Sequence, residues 1–248
     1  MGLWDAATGR EVARALADPE GASVAAFSPD GQKLIVGTTT GMVHVLSVPG
    51  LEPVRGPIEV GVGTAGTLSV SPNGRDVVIH GDGSRLVDYS TGKPGAVIGT
   101  TEDPPAAGEF SPDGQRLFLS WLDGRIGLLD VTTTSWLVAP NATQPHGGLY
   151  SAWSADGALV ASSSPGDKVA VWDGRTGAFI GAVGAPEGAV AFTEDGKVLV
   201  AGLDGTVRTW DPRPEAWVAA ACQMAGRDLT EAEWRSYLPD RDYDPVCS

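Results

Sequence analysis

The 248-residue chain predicts an all-β fold of about five four-stranded blades set around a common axis, followed by a short helical tail. Three observations predict it. A turn motif occurs five times, as FSPDG at 27–31, VSPNG at 70–74, FSPDG at 110–114, WSADG at 153–157 and FTEDG at 192–196. Counted from their first residues, the copies lie 43, 40, 43 and 39 residues apart. A second landmark, a large apolar residue followed by Asp or Ser, occurs at Trp4-Asp5, Leu46-Ser47, Val87-Asp88, Leu129-Asp130, Trp172-Asp173 and Trp210-Asp211, with steps of 42, 41, 42, 43 and 38. A period of roughly 40–45 residues built from short strands belongs to radial blades, not to a single sheet or a helical solenoid. The third observation is composition: 34 Gly and 18 Pro suit a chain made of many tight turns.

The stretch 23–60 shows how one repeat reads. SVAAF is a short apolar strand. SPDG turns the chain, because Pro29 presets φ, Asp30 bonds nearby backbone and Gly31 tolerates positive φ. QKLIVGTT is a second strand rich in β-branched residues. Thr40-Gly41 turns the chain again, MVHVLSV is a third strand, and Pro49-Gly50 ends it. A more polar fourth strand follows near 53–60. Later repeats give second strands RDVVIHG, QRLFLSW, ALVASSS and KVLVAGL. Their second turns are Asp82-Gly83, Asp123-Gly124, Gly166-Asp167 and Asp204-Gly205. This spacing is that of an antiparallel four-stranded unit joined by hairpins.

With LWDAATGR at 3–10, VWDGRTGA at 171–178, TWDP at 209–212 and the five SPDG-like turns, residues 1–212 resemble the WD-repeat β-propeller family. The family's Gly-His pair before the first strand is absent, and the chain has only His44, His80 and His146. The buried His–Ser–Trp–Asp network of well-formed repeats is therefore not expected. Asp5, Asp88, Asp130, Asp173 and Asp211 are expected to bond turn backbone instead, in somewhat looser blades. The chain starts inside a repeat, with LWD as a third-strand fragment and a fourth strand near 10–16. Two arrangements stay open: that strand fastens the last blade and closes a five-bladed ring, or the chain is an open arc of a larger ring that exposes blade faces and self-associates.

Residues 1–213 form the propeller unit and 214–248 a helical extension. EAWVAAACQMAG places Trp217, Ala221, Cys222 and Ala225 at helical spacing, with Gly226 as the stop. Thr230 to Glu233 read as a capping box that opens a second helix carrying Trp234, Tyr237 and Leu238. The tail is similar to the C-terminal segment of actinobacterial WD-repeat proteins, on Ala220-Ala221-Cys222, 226–230, Glu233-Trp234, 237–239, Tyr243 and Cys247. That resemblance implies a sensor attached to a signal-transduction ATPase or transcriptional regulator. Cys222 and Cys247 are the only cysteines. They are read either as a disulfide tying down the tail or as two thiols in a reducing cytosol; two cysteines fall short of a zinc site.

No stretch reads as an active site. His44 lies in a strand, His80 ends one and His146 sits in a loop. No HExxH, CxxC pair, calcium loop or phosphate-binding loop occurs, and GDGS at 81–84 is a hairpin turn. No cofactor or metal is expected, and the chain is expected not to be an enzyme. The formal net charge of −14 repels phosphate backbones, so direct nucleic-acid binding is not expected. No apolar run reaches the ~18 residues of a membrane span, and no signal peptide is visible, so a cytoplasmic setting is expected, or an extracytoplasmic one if the chain is attached to a longer membrane protein. The turns between second and third strands share one face with the incoming connections. Asp82, Asp123, Asp167 and Asp204 thus form a candidate acidic rim, joined by Asp18, Glu20, Glu102, Asp103 and Glu187, and suited to a basic protein or peptide partner. The irregular loop 140–150 borders the same face. The function read from this is a non-catalytic interaction or sensor module of a bacterial signalling protein. The alternative is a propeller-type hydrolase with acids at the channel mouth.

Overall fold

The computed structural model describes residues 1–14, 21–100, 102–141, 148, 150–164 and 168–247. Its core is a succession of antiparallel sheets, one per sequence repeat. Blade 1 holds β3 (Ala22–Phe27), β4 (Lys33–Thr38), β5 (Met42–Ser47) and β6 (Ile58–Glu59). Blade 2 holds β7 (Thr67–Val70), β8 (Asp76–His80), β9 (Ser84–Asp88) and β10 (Lys93–Val97). Blade 3 holds β11 (Ala107–Phe110), β12 (Arg116–Ser120), β13 (Ile126–Asp130) and β14 (Ser135–Asn141). Blade 4 holds β15 (Tyr150–Trp153), β16 (Leu159–Ser164), β17 (Lys168–Asp173) and β18 (Phe179–Gly184). Blade 5 has three strands, β19 (Gly188–Phe192), β20 (Val198–Gly202) and β21 (Val207–Trp210). The first strands β3, β7, β11, β15 and β19 lie side by side in that order and form the inner wall.

The repeated turns explain why the sheets are alike. In all five, the first-turn hydroxyl donates to the carboxyl or amide oxygen two residues on: Ser28 to Asp30, Ser71 to Asn73, Ser111 to Asp113, Ser154 to Asp156 and Thr193 to Asp195, at 2.5–2.7 Å. The same hydroxyl accepts the backbone N–H that opens the second strand, at Lys33, Asp76, Arg116, Leu159 and Lys197. The closing glycine, such as Gly114 at φ 69°, takes a left-handed conformation that other residues resist. The third-strand aspartates cap the next turn: Asp5, Asp88, Asp130 and Asp173 accept the backbone N–H three residues on at 2.7–2.9 Å, and Asp211 that of Arg213. For Asp88, the donors Ser90, Thr91 and Arg75 outweigh burial, which acts the other way, and hold the carboxyl well below the usual range.

Alternation along each strand puts one apolar set on each blade face, and five interblade cores result. Ile35, Val43 and Val45 of blade 1 meet Val77, Ile79 and Val87 of blade 2. Val78 and Leu86 meet Phe110, Leu117 and Leu119. Phe118 and Leu128 meet Val160, Ala170 and Trp172. Val169 and Val171 meet Val198 and Val200. The fifth core joins Leu34, Val36 and Leu46 to Leu3 and Ala13 of an N-terminal half-blade, β1 (Gly2–Trp4) with β2 (Glu11–Arg14).

The network of well-formed repeats, not expected without the Gly-His pair, survives in part. In blade 4, the buried Trp172 Nε1 donates to Ser162 Oγ at 2.8 Å. The fourth strand of blade 1, expected near 53–60, is only the two-residue β6, with an isolated bridge from Leu46 to Pro53 beside it.

Ring closure takes the open form among the described residues. β2 pairs with β1, and β21 is bonded only to β20, so the segment near 10–16 does not complete the last blade. The cross-strand register leaves Ala189, Ala191, Leu199, Ala201 and Val207 on the face of blade 5 that points away from blade 4, with Val207 well exposed.

Two helices follow. α1 (Pro214–Ala225) ends at Gly226 in the left-handed conformation. Its Trp217 stacks on Trp210 at 5.3 Å, donates to the Asp211 carbonyl and fills the space over Gly181, where a Cβ would lie 2.4 Å from the ring. α2 (Glu231–Tyr237) opens on a full capping box between Thr230 and Glu233. Cys222 and Cys247 are joined by a disulfide that spans 25 residues. Closing a loop of that length restricts the unfolded tail by about 3 kcal/mol. Reduction is therefore expected to speed amide exchange across 226–247 while the strands of blades 2–4 keep their protection, as hydrogen-exchange mass spectrometry would show.

Candidate functional site: the channel mouth

Each first strand starts at the face where the incoming connections and the second turns meet. Latches from blade to blade hold this face together. Thr64 Oγ1 donates to the Thr39 carbonyl, Ser84 Oγ to Pro105, Trp121 Nε1 to Asp103, and Ser120 Oγ to Gly148. Between blades 4 and 5, the Gly188 N–H donates to Ser163 Oγ. Three of the latches use hydroxyls at the ends of second and third strands, Ser84, Ser120 and Ser163, while Thr64 reaches from a connection and Trp121 uses its indole.

His80 belongs to this set. It is buried, and its Nδ1 lies 2.8 Å from Ser84 Oγ. Since Ser84 spends its proton on the Pro105 carbonyl, the imidazole donates from Nδ1. Its Nε2 is buried without a hydrogen-bond partner, beside Gly108, where a Cβ would meet it at 2.9 Å. Burial pushes the imidazole down to about 4. His80 is thus a neutral structural wedge between blades 2 and 3.

Inside the latches, the inner strands of blades 2–5 line a cavity of about 190 Å³ bounded by Thr67, Leu68, Ala107, Gly108, Glu109, Tyr150, Ser151, Ala189 and Val190. Glu109 is the one charged residue among them. Trp153 Nε1 donates to the Glu109 carbonyl at 3.0 Å and fixes this part of β11 against blade 4. The carboxyl is largely buried. Desolvation pushes it up to about 7, against a smaller opposing effect of a hydrogen bond from Ser69. It is therefore poised to exchange its proton near neutral pH.

The predicted rim acids are placed around this mouth and do not form one cluster. Asp82 lies in the hairpin turn after β8, its N–H donating to the Val62 carbonyl and its carboxylate packed over Gly63, which has φ 63°. Asp123 forms an ion pair with Arg125 at 2.6 Å. Arg125 also takes Asp103 through two bonds of 2.9 and 2.6 Å, and lies over the Trp121 ring. That guanidinium holds the Asp103 carboxyl below its ordinary value. Asp204 accepts from the Thr206 N–H and hydroxyl, which likewise lowers its carboxyl. Asp167, Asp18, Glu20 and His146 lie outside the described residues. Among the described residues, no three His, Cys, Asp or Glu side chains are arranged to hold a metal ion.

Glu109 was readable in the sequence by aligning the repeats. The residue before each motif's leading Phe, Val or Trp is Ala26, Ser69, Glu109, Ala152 and Ala191. One acid stands where the other copies carry small residues.

Comparison with known proteins agrees with this architecture. Residues 188–211 match the family model "WD domain, G-beta repeat", which coincides with blade 5. No curated protein matches the chain. Among solved structures, a chain of Kuenenia stuttgartiensis hydrazine synthase superposes with a TM-score of 0.62 at 16% identity, covering 79% of this chain and 67% of that one. At that identity the likeness is one of fold alone. Among the described residues, no helix is long and apolar enough to cross a membrane.

Proposed function

We propose that this WD-repeat propeller arc is a non-catalytic interaction or sensor module whose channel mouth receives a basic segment of a partner protein. The observation that carries the reading is the convergence of four inner strands on one open cavity in which Glu109 is the only charged residue among the described lining residues. The net charge of −14 and the surrounding Asp82, Asp123 and Asp204 raise the local concentration of cationic partners. Hydrolysis of a glycosidic bond by the usual route uses two carboxyls, and the described lining offers one. The similarity of the tail to that of actinobacterial WD-repeat proteins supports a place at the sensing end of a bacterial signalling protein. The disulfide-tied helices packed on blade 5 would then form the far boundary of that sensor.

Binding of short fluorescent peptides tests the reading. A lysine- and arginine-rich peptide is expected to bind in low salt and to weaken as ionic strength rises, while acidic and neutral peptides of equal length do not bind. The triple variant Asp82→Asn, Asp123→Asn, Asp204→Asn is expected to lower the affinity several-fold. Equal binding of all three peptides would remove the mouth as a charge-selective surface.

A further inference from the structure

We propose that the cavity at Glu109 is a subsite for a single alkylammonium group, supplied by a lysine side chain of the partner or by a small primary amine. The inference rests on the mouth being the binding surface and names the group its deepest point receives.

Three features carry it. The cavity of about 190 Å³ is wide enough for an unbranched aliphatic stem and too small for a folded element. Its walls divide by chemistry: Leu68, Ala107, Ala189 and Val190 offer apolar surface, and Glu109, Thr67, Tyr150 and Ser151 offer oxygens. A methylene stem with an ammonium tip matches such a division, since the stem packs on apolar surface while the tip seeks oxygen. An ammonium group has three donors and no acceptor. The Glu109 carboxylate and the hydroxyls of Thr67, Tyr150 and Ser151 can accept them.

The third feature is the absence of a competing cation. β7 faces Glu109 with Thr67 and Ser69, β15 with Tyr150 and Ser151, and β19 with Ala189 and Val190. Phe118 of β12 is its cross-strand partner. Tyr150 is the other titratable group among these, and His80, on the far side of Gly108, is neutral. The carboxyl is thus a desolvated acid without a basic partner among the described residues that line its cavity. A bound ammonium would supply the missing charge, and a buried pair of this kind is favourable when further hydrogen bonds satisfy it.

Binding must then release a proton at mildly acidic pH, because the ammonium pairs with the carboxylate and not with the acid. Affinity rises about tenfold per pH unit below neutrality and levels off above it. An alkylamine stays protonated throughout, so the slope reports the protein's own group.

Calorimetry tests this with n-butylammonium, and separately with an N-acetylated, C-amidated peptide carrying one lysine, at pH 5.5, 6.5 and 8. The expected result is binding that strengthens with pH and weakens at least tenfold in Glu109→Gln, with no binding of the matching norleucine peptide. Binding of the peptide alone assigns the group to a partner's lysine, and binding of n-butylammonium to a free amine. Ser151→Leu, which narrows the cavity from the face of blade 4 turned to blade 3 and keeps the carboxyl, is expected to abolish binding of either probe, and thermal melts confirm that both variants are folded. Absence of binding by both probes, or binding indifferent to Glu109→Gln, overturns the subsite. If the lysine- and arginine-rich peptide still binds the wild-type mouth in that case, the interaction surface stands without it; if that peptide also fails, the mouth reading falls first.

Discussion

Replacing Trp172 by Ala lowers the unfolding free energy by about 4 kcal/mol, the middle of the range for aromatic truncation in a core. Trp172 is among the largest fully buried side chains. Its ring lies 6.3 Å from Phe118 of blade 3 and 5.3 Å from Phe179 of its own fourth strand, so the truncation opens the core between blades 3 and 4. Ser162 loses its indole donor as well. Trp172→Phe keeps most of the packing and loses the N–H bond, and is expected to cost about 1–2 kcal/mol. Urea titration of both variants separates the contributions. A cost below about 1 kcal/mol for the alanine variant would mean that the blades do not pack on this side chain.

The second large effect is a pair of opposed pH dependences. His80 falls from 6.5 to about 4 on folding. Its contribution is present above 6.5 and is lost as pH falls through 4. Glu109 rises from 4.5 to about 7. Its contribution is present below 4.5 and is lost as pH rises through 7. Each is worth about 3 kcal/mol at 1.36 kcal/mol per unit. Between pH 4.5 and 7 the two slopes oppose, so the wild-type protein is expected to show a nearly flat stability. Glu109→Gln unmasks the histidine, and stability then rises with pH over this window. His80→Asn unmasks the glutamate, and stability then falls. Urea unfolding at half-unit pH steps checks the three curves. A wild-type slope unchanged by either substitution would show that neither group is buried as described.

The architecture was legible because each of its devices is local. Ser-Pro-Asp-Gly specifies its own turn through hydroxyl, carboxylate and glycine, and the third-strand aspartates cap turns within three residues. Strand alternation assigns the interblade faces in the same way. Closure was not legible, because whether β2 pairs with β1 or with β21 depends on the curvature accumulated over five blades, which no local motif encodes. The rim acids were visible as Asp-Gly turns, but their partners were not. Arg125 joins Asp123 to Asp103 across 22 residues, and Asp204 serves its own turn. Glu109 was visible as an odd residue among aligned repeats, while its burial depends on strands drawn from four blades. The Trp172–Ser162 bond escaped the sequence reading because the missing Gly-His pair suggested that the whole network was absent.

Among the described residues, the channel mouth competes with a groove of about 460 Å³ between α1 and the C-terminal segment, lined by Pro214, Val218, Cys222 and Val246 among others. Amide chemical-shift mapping with the lysine- and arginine-rich peptide discriminates between them. Shifts are expected at Gly108, Glu109, Ser151 and Ala189 and around Asp82, Asp123 and Asp204. Shifts confined to Val218, Cys222 and Val246, with the inner strands unmoved, would contradict it.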